Sequence, residues 1–206
     1  VHRAVPLGRS NYDVADQLAQ LGMEAIHPKA AAGLRLAHIP LRVRNLFEPD
    51  HPGTLLTSDY RSQEPCVEMI AGREQLWALT LYDPDGLTFE PGQVEQTVLE
   101  VLRGRRVRPL ARDGNANSLT VYLPVSEKAV RGVEAALAQR LPKAGLEAAP
   151  LACVAAVGSS MAIPGLLAKA SAALAKAGLS VHAVQQGPRQ VDMRFFVDPQ
   201  AFEPAV

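Results

Sequence analysis

Two loops of this 206-residue chain hold the residues best suited to chemistry. Each ends in a Pro-Gly pair, Pro91-Gly92 and Pro164-Gly165, directly before a run with helical apolar spacing. A helix N-terminus leaves backbone N–H groups without intrahelical partners, and its dipole favours an anion. Glycine removes the Cβ, so a ligand can come close to the backbone. Proline in the first helical position gives up no hydrogen bond. The carboxylate of an amino acid would suit such a place. Pro-Gly is also an ordinary helix start, and the residues alone leave both readings open.

Other charged groups point to less. Asp83, Asp85 and Glu90 share the first loop and could gather a cation. Their spacing is not that of an EF-hand loop, which needs Gly at its sixth position and Glu at its twelfth. No other ligand type accompanies them, so no metal is expected. Arg103, Arg105, Arg106, Arg108 and Arg112 form a basic run. A nucleic-acid surface would want interleaved aromatics and an overall basic domain. Lys plus Arg number 21 against 21 Asp plus Glu. The run therefore reads as a solvated or inter-domain face, with no nucleic-acid partner. The longest apolar runs, such as residues 151–157, are too short to span a bilayer. Val1-His-Arg-Ala lacks a signal-peptide pattern. No membrane partner is expected. Cys66 and Cys153 are isolated, with no CxxC spacing. They read as free thiols of a reducing compartment, so a cytoplasmic location is expected. Phosphoryl transfer needs cradled phosphates, carboxylate-held metal and a positioned nucleophile. Neither a Walker lysine loop nor GxGxxG occurs, and no catalytic residue is assigned.

The elements that must position the two loops follow from periodicity. Residues 11–21 predict a helix with Asn11 or Ser10 at its N-cap and Val14, Leu18 and Leu21 on one face. Gly22 stands where a C-cap glycine belongs. A second helix starts at His27-Pro28 and runs towards Ala37. Residues 41–45 alternate apolar and basic, as a half-buried strand does. Residues 48–62, rich in Pro, Gly, Asp and Ser, read as a linker. Strands are predicted at 67–70 and 75–82, then a helix from Pro91 to Gly104 with Val94, Val98, Val101 and Leu102 inward. Strands at 106–110 and 118–123 flank a polar turn, and residues 126–141 form a helix capped by Ser126. The pattern then recurs. A strand at 153–157 precedes a helix from Pro164-Gly165 to Gly178, with Leu166, Ala170, Leu174 and Ala177 on one face. Strands follow at 180–185 and 191–197, and a helix begins at Phe202. The Pro-Gly pairs and terminating glycines recur at nearly the same offset, which indicates duplication of one β-α-β-β-α unit. One further strand would complete a ferredoxin-like βαββαβ sandwich in each copy. The fold class is α+β.

Three segments carry a family resemblance: Gly22-Met-Glu-Ala-Ile-His-Pro-Lys-Ala30, Ile39-Pro-Leu-Arg-Val-Arg-Asn-Leu-Phe-Glu-Pro49 and Pro52-Gly-Thr-Leu-Leu56. Their order resembles the end of the catalytic domain of aspartokinases. Val154-Ala-Ala-Val-Gly-Ser-Ser-Met161, Pro164-Gly165, Ala177-Gly-Leu-Ser-Val181 and Val184-Gln-Gln-Gly187 are similar to the paired ACT domains behind it. The first copy matches in layout and diverges in residues. The resemblance covers the chain from about Tyr12 onward. It implies that residues 1–62 are the edge of an amino-acid-kinase domain with a linker. Residues 63–150 are then a first ACT-type domain, and 151–206 a second one, incomplete at its C-terminus. His27-Pro-Lys29 and Arg42-Val-Arg44 would anchor this region to the kinase domain or lie near its nucleotide site.

The resemblance also implies function. The parent enzyme would phosphorylate L-aspartate with ATP and Mg, the first step towards lysine, threonine and methionine. This region would need no cofactor of its own. It would bind an amino-acid effector, lysine foremost or threonine, for feedback inhibition, and form a homodimer through its ACT domains. The alternative is an ACT-like module kept only for oligomerisation. The implied effector residues are Asp83, Asp85, Leu87, Glu90, Gly92 and Gln93 in the first copy. In the second they are Ser159, Ser160, Met161, Ile163, Pro164 and Gly165. On the following strand, family members place Asp, Asn or Glu towards the effector's ammonium group. The matching residues here are Arg108 and His182, and a cation there opposes an ammonium. Asp113, Asn115 and Gln186 are polar residues that could compensate. His182 could equally serve an interface.

Overall fold

A computed structural model describes residues 7–23, 26–83 and 90–206. The first part contains β1 (Arg9–Asn11), α1 (Tyr12–Gln20), α2 (Pro28–Leu36), β2 (Leu41–Val43) and β3 (Thr54–Thr57). Asn11 caps α1, its side-chain oxygen accepting from the Val14 N–H at 2.9 Å. Gly22 ends it with φ +92°, while the Met23 N–H returns to the Leu18 carbonyl at 3.0 Å. That left-handed turn is why a glycine follows this helix. β3 lies between β1 and β2, parallel to the first and antiparallel to the second. The segment 48–62 is therefore more than a linker, since it holds a central strand. Four residues, Thr-Leu-Leu-Thr, are too few to stand out among turn formers. Leu56 packs with Tyr12 and Ala31 in a small core.

The remainder builds one six-stranded sheet. Its elements are β4 (Met69–Tyr82), α3 (Pro91–Gly104), β5 (Ala111–Gly114), β6 (Ser118–Leu123) and α4 (Glu127–Arg140). After them come β7 (Gly145–Val157), α5 (Leu166–Lys176), β8 (Val181–Gln186), β9 (Asp192–Val197) and the short α6 (Phe202–Ala205). The order is β5-β6-β4-β7-β9-β8, with every neighbour antiparallel.

Two long strands serve both repeats. Residues 77–82 of β4 lie between β6 and β7, whereas residues 69–73 pair with β7 alone. Residues 152–157 of β7 pair with β9, whereas residues 145–151 have only β4 beside them. Unit one is thus β4-α3-β5-β6-α4-β7, with the ferredoxin-like strand order. Unit two is β7-α5-β8-β9, and its fourth strand is the start of β4. The division expected at 150/151 runs through the middle of β7, and residues 69–73, expected in the first repeat, pair in the second.

The strands expected at 67–70 and 75–82 are one strand, with a register slip between Arg73 and Leu76. The strand expected at 153–157 reaches back to Gly145. Pro150, which reads as a break, lies where β7 has a neighbour on one side only, a position that tolerates proline. Residues 106–110 are not a strand. The N–H groups of Arg106 and Val107 close the end of α3 instead, donating to the Arg103 and Leu102 carbonyls at 3.0 and 2.9 Å, with Arg106 at φ +58°. The Leu110 N–H turns to β6, donating to the Tyr122 carbonyl at 2.7 Å.

The two sheet faces differ, as alternation along each strand requires. On one face α3 and α4 cover Leu79, Leu81, Leu119, Val121 and Leu123. Farther along, α5 contributes Leu174 to a core with Ala156, Met193 and Phe195. The other face curls on itself. Leu76, Ala78, Tyr122, Cys153, Ala155 and Phe196 meet there under Val14 and Leu21 of the first part. The rings of Tyr122 and Phe196 stack with centroids 3.8 Å apart, although β4 and β7 separate their strands.

Candidate functional site

The pairs Tyr82–Gly145 and Val157–Met69 mark where the two loops leave the sheet, at equivalent points of the two units. In unit one, Asp83 is buried, and its N–H donates to the Asn117 carbonyl at 3.1 Å. The end of β4 therefore meets the turn after β5. Asp85 and Leu87 lie outside the described residues. Glu90 is the N-cap of α3 in extended conformation; its carboxylate makes no capping bond. Pro91 takes the first helical position, as expected. Gly92 and Gln93 are exposed, and a Cβ at Gly92 would meet nothing within 4 Å. Among the described residues, nothing lies against the backbone of Gly92 at the start of α3.

Asp113 is exposed on β5, opposite Thr120. Arg108 is exposed but stands before that strand, in the connection from α3. The cation on the strand itself is Arg112, which pairs with Glu95 of α3 at 2.6 Å. Asn115 is absorbed by the β5–β6 turn: its side-chain oxygen accepts from the N–H groups of Asn117 and Ser118 at 3.1 and 3.0 Å.

The loop of unit two is built differently. Ser159 is buried, and its N–H donates to Glu68 Oε1 at 3.0 Å. Its hydroxyl makes a hydrogen bond to the same oxygen and accepts from the Ser62 N–H at 2.9 Å. The Ser160 carbonyl accepts from the Cys66 N–H at 2.9 Å. Met161 is a core residue, with its N–H bonded to the Gln190 carbonyl at 3.0 Å. Ile163 is half-buried and Pro164 exposed. Gly165 is the N-cap of α5 with φ +74°, so here the Pro-Gly pair precedes the helix. The left-handed φ is what requires glycine at that position. His182 is exposed on β8, and its Nε2 lies 2.9 Å from Asp198 Oδ1. A carboxylate therefore already faces that imidazole. Gln186 is exposed at the end of β8, opposite Met193.

Two further polar groups matter. Glu68 is one. Arg194 on β9 is the other: it is 7% exposed and joins three parts of the chain. Its Nε bonds Asp192 at 2.7 Å, and one terminal nitrogen donates to the Leu110 carbonyl at 2.9 Å. The other reaches the side-chain oxygens of Gln17 and Gln20 at 2.6 and 2.9 Å. The sequence signal for both was a charge set inside a strand-like run, Val67-Glu-Met69 and Met193-Arg-Phe-Phe196. Among the described residues, no group of three or more His, Cys, Asp or Glu side chains is placed to hold a metal. No described helix is long and apolar enough to cross a membrane.

No family model matches the chain. It is 41% identical to "Aspartate kinase Ask_Ect" of Stutzerimonas stutzeri over 206 residues, 99% of this chain and 42% of that protein. Its fold is similar to the crystal structure of Clostridium acetobutylicum aspartate kinase, with a TM-score of 0.83 and 22% identity, over 100% of this chain and 48% of that one. It is also similar to E. coli aspartokinase III in complex with lysine and aspartate, with a TM-score of 0.75 and 17% identity, over 100% and 46% of the two chains. The chain thus spans less than half the length of these relatives.

Proposed function

We infer that this chain, which corresponds to the C-terminal regulatory region of aspartate kinases, senses an amino acid and passes that signal to a kinase domain. The observation that carries this reading is the exposed start of α3. Glu90, Gly92 and Gln93 are exposed there at a helix start, where N–H groups have no intrahelical partners, near the end of β4 at Asp83. The effector's carboxylate would take those N–H groups, and Asp113 is the carboxylate on β5 suited to its ammonium group. Lysine is the first candidate and threonine the second. Lysine is named in the E. coli structure that the fold resembles.

The parent protein would phosphorylate L-aspartate with ATP and Mg in the cytoplasm. Leu36, Leu46 and Phe47, at 83, 87 and 91% exposure, are apolar side chains that a kinase domain could cover. Among the described residues, the outer edges of β5 and β8 have no strand beside them, and they suit a homodimer. Effector binding would inhibit the kinase to the extent that affinity differs between its active and inactive arrangements. Calorimetry with lysine, threonine and methionine tests this, alongside sedimentation. Heat with one of them supports the reading. No heat at millimolar concentration sinks it, and a stable dimer would then leave a module kept for oligomerisation. One observation favours that second reading: the residues at and just before β5 include the cations Arg108 and Arg112.

A further inference from the structure

We propose that Glu68 is a built-in carboxylate ligand of the second loop, occupying it as an effector's carboxylate would. The meaning of the loops rests on the regulatory reading above; the test below does not.

Strand register places Glu68 beside this loop. Met69 pairs with Val157, and the Glu68 N–H donates to the Val157 carbonyl at 3.0 Å. The loop departs immediately afterwards. In unit one Gly145 pairs with Tyr82, so Ala144 holds the position that Glu68 holds in unit two. Alanine has no group that could reach into the first loop. At this equivalent backbone position the units thus differ, with a carboxylate in one and a methyl group in the other.

The contact is anion recognition in miniature. Ser159 offers its backbone N–H and its hydroxyl to one carboxylate oxygen, Glu68 Oε1. The approach brings the rest of the segment with it. The Ser62 N–H donates to the Ser159 hydroxyl, and the Cys66 N–H to the Ser160 carbonyl, at 2.9 Å each. A Cβ on Gly158 would lie 2.6 Å from the Cys66 carbonyl oxygen, so the segment lies directly on the loop. Glu68 Oε2 is enclosed without a partner among the described residues. A buried acceptor left unsatisfied is destabilising, and the hydrogen bonds to Oε1 must offset that. The donors of Ser159 therefore hold this carboxylate, and they are donors a free carboxylate could use.

The experiment is acetate titration of wild type and Glu68→Ala, followed by backbone amide NMR. Saturable shifts at Gly158, Ser159, Ser160 and Met161 are expected in Glu68→Ala and not in wild type. A folded Glu68→Ala chain without those shifts, or equal shifts in wild type, overturns the proposal. Should Glu68→Ala not fold, Glu68→Gln keeps the shape with a weaker acceptor. The Ser159 amide should then exchange with solvent about tenfold faster than in wild type, matching loss of one charge-assisted hydrogen bond. Unchanged exchange overturns the proposal. Neither readout uses an amino-acid effector. Silence of the wild-type protein towards lysine and threonine would defeat the sensing function and leave the Glu68 result standing.

Discussion

Arg194 of β9 donates a hydrogen bond to the carbonyl of Leu110 at 2.9 Å, across 84 positions of the chain. The same guanidinium holds Gln17 and Gln20 of α1. One buried cation thus fixes unit two, the entry to β5 of unit one, and the helix that leads in from the first part. Arginine suits this role because its planar fork donates in several directions at once.

Replacing Arg194 should be costly. Arg194→Met leaves Asp192, the Leu110 carbonyl and two glutamine side chains without their donor, and should destabilise by about 3–5 kcal/mol. Arg194→Lys keeps the charge and loses the fork, so it should recover only part of that loss. Urea unfolding of both variants checks this; a wild-type midpoint for Arg194→Met would contradict it.

The Tyr122–Phe196 stack is where the curled face of the sheet closes. Phe196 is fully buried, so Phe196→Ala should cost about 3–5 kcal/mol. A double-mutant cycle with Tyr122→Ala should show coupling of about 0.5–1.5 kcal/mol for the ring pair. Additive losses would mean the two rings act independently.

Much of this was legible in sequence. The apolar spacing of Val94, Val98, Val101 and Leu102 marked α3, and the glycine at 22 marked the end of α1. The two Pro-Gly pairs located both loops. The strand sharing was not legible. A repeat read along the chain suggests consecutive closed units, and nothing local in Met69–Arg73 says that its partner is Val157 rather than a residue of its own copy. Register is a property of paired strands, and single-strand patterns carry little of it. Arg108 was misplaced for a similar reason. The alternation around it resembles a strand, but the end of α3 takes the N–H groups of Arg106 and Val107, and Pro109 has none to give. A charge within an apolar run, as at Glu68 and Arg194, reads as noise until its partners are known.

The thiols should differ in reactivity. Cys153 is fully buried, and burial pushes its thiol up to about 12; Cys66 is half-buried. The thiolate is the reactive species. A maleimide reagent at neutral pH should label Cys66 in the native protein and Cys153 only after unfolding. Native labelling of Cys153 would show that the core opens more readily than its packing suggests.

Alkaline pH should weaken the same core. Burial also pushes the Tyr122 phenol up to about 12, with the Asp113 charge adding to it. Both groups are protonated when folded and release protons more easily when unfolded. Their stabilisation is complete below the ordinary values of 9.0 for the thiol and 10.0 for the phenol, and is lost as pH rises through about 12. Each group should contribute a slope of about 1.4 kcal/mol per pH unit within its window. Cys153→Ala should postpone the onset of the decline from near 9 to near 10, measured by urea unfolding at stepped pH.

Gly53 should resist substitution. It has φ +72°, and a Cβ there would lie 2.1 Å from the Val43 carbonyl oxygen. Gly53→Ala should cost about 1–3 kcal/mol. The damage should be local: amides of Leu41–Val43 should exchange faster while those of β4 and β7 keep their protection. Uniform loss across both sheets would show that the first part and the six-stranded sheet unfold as one body.

The shared strands set synthesis and closure against each other. Residues 69–73 are made before the rest of unit one, yet they pair with residues 153–157, which are made after the rest of it. A growing chain must therefore carry an unpaired strand edge past a unit that closes first. Such edges are sticky, and pairings of high sequence separation form slowly. The segment most exposed to wrong partners during translation is the one that carries Glu68 next to it.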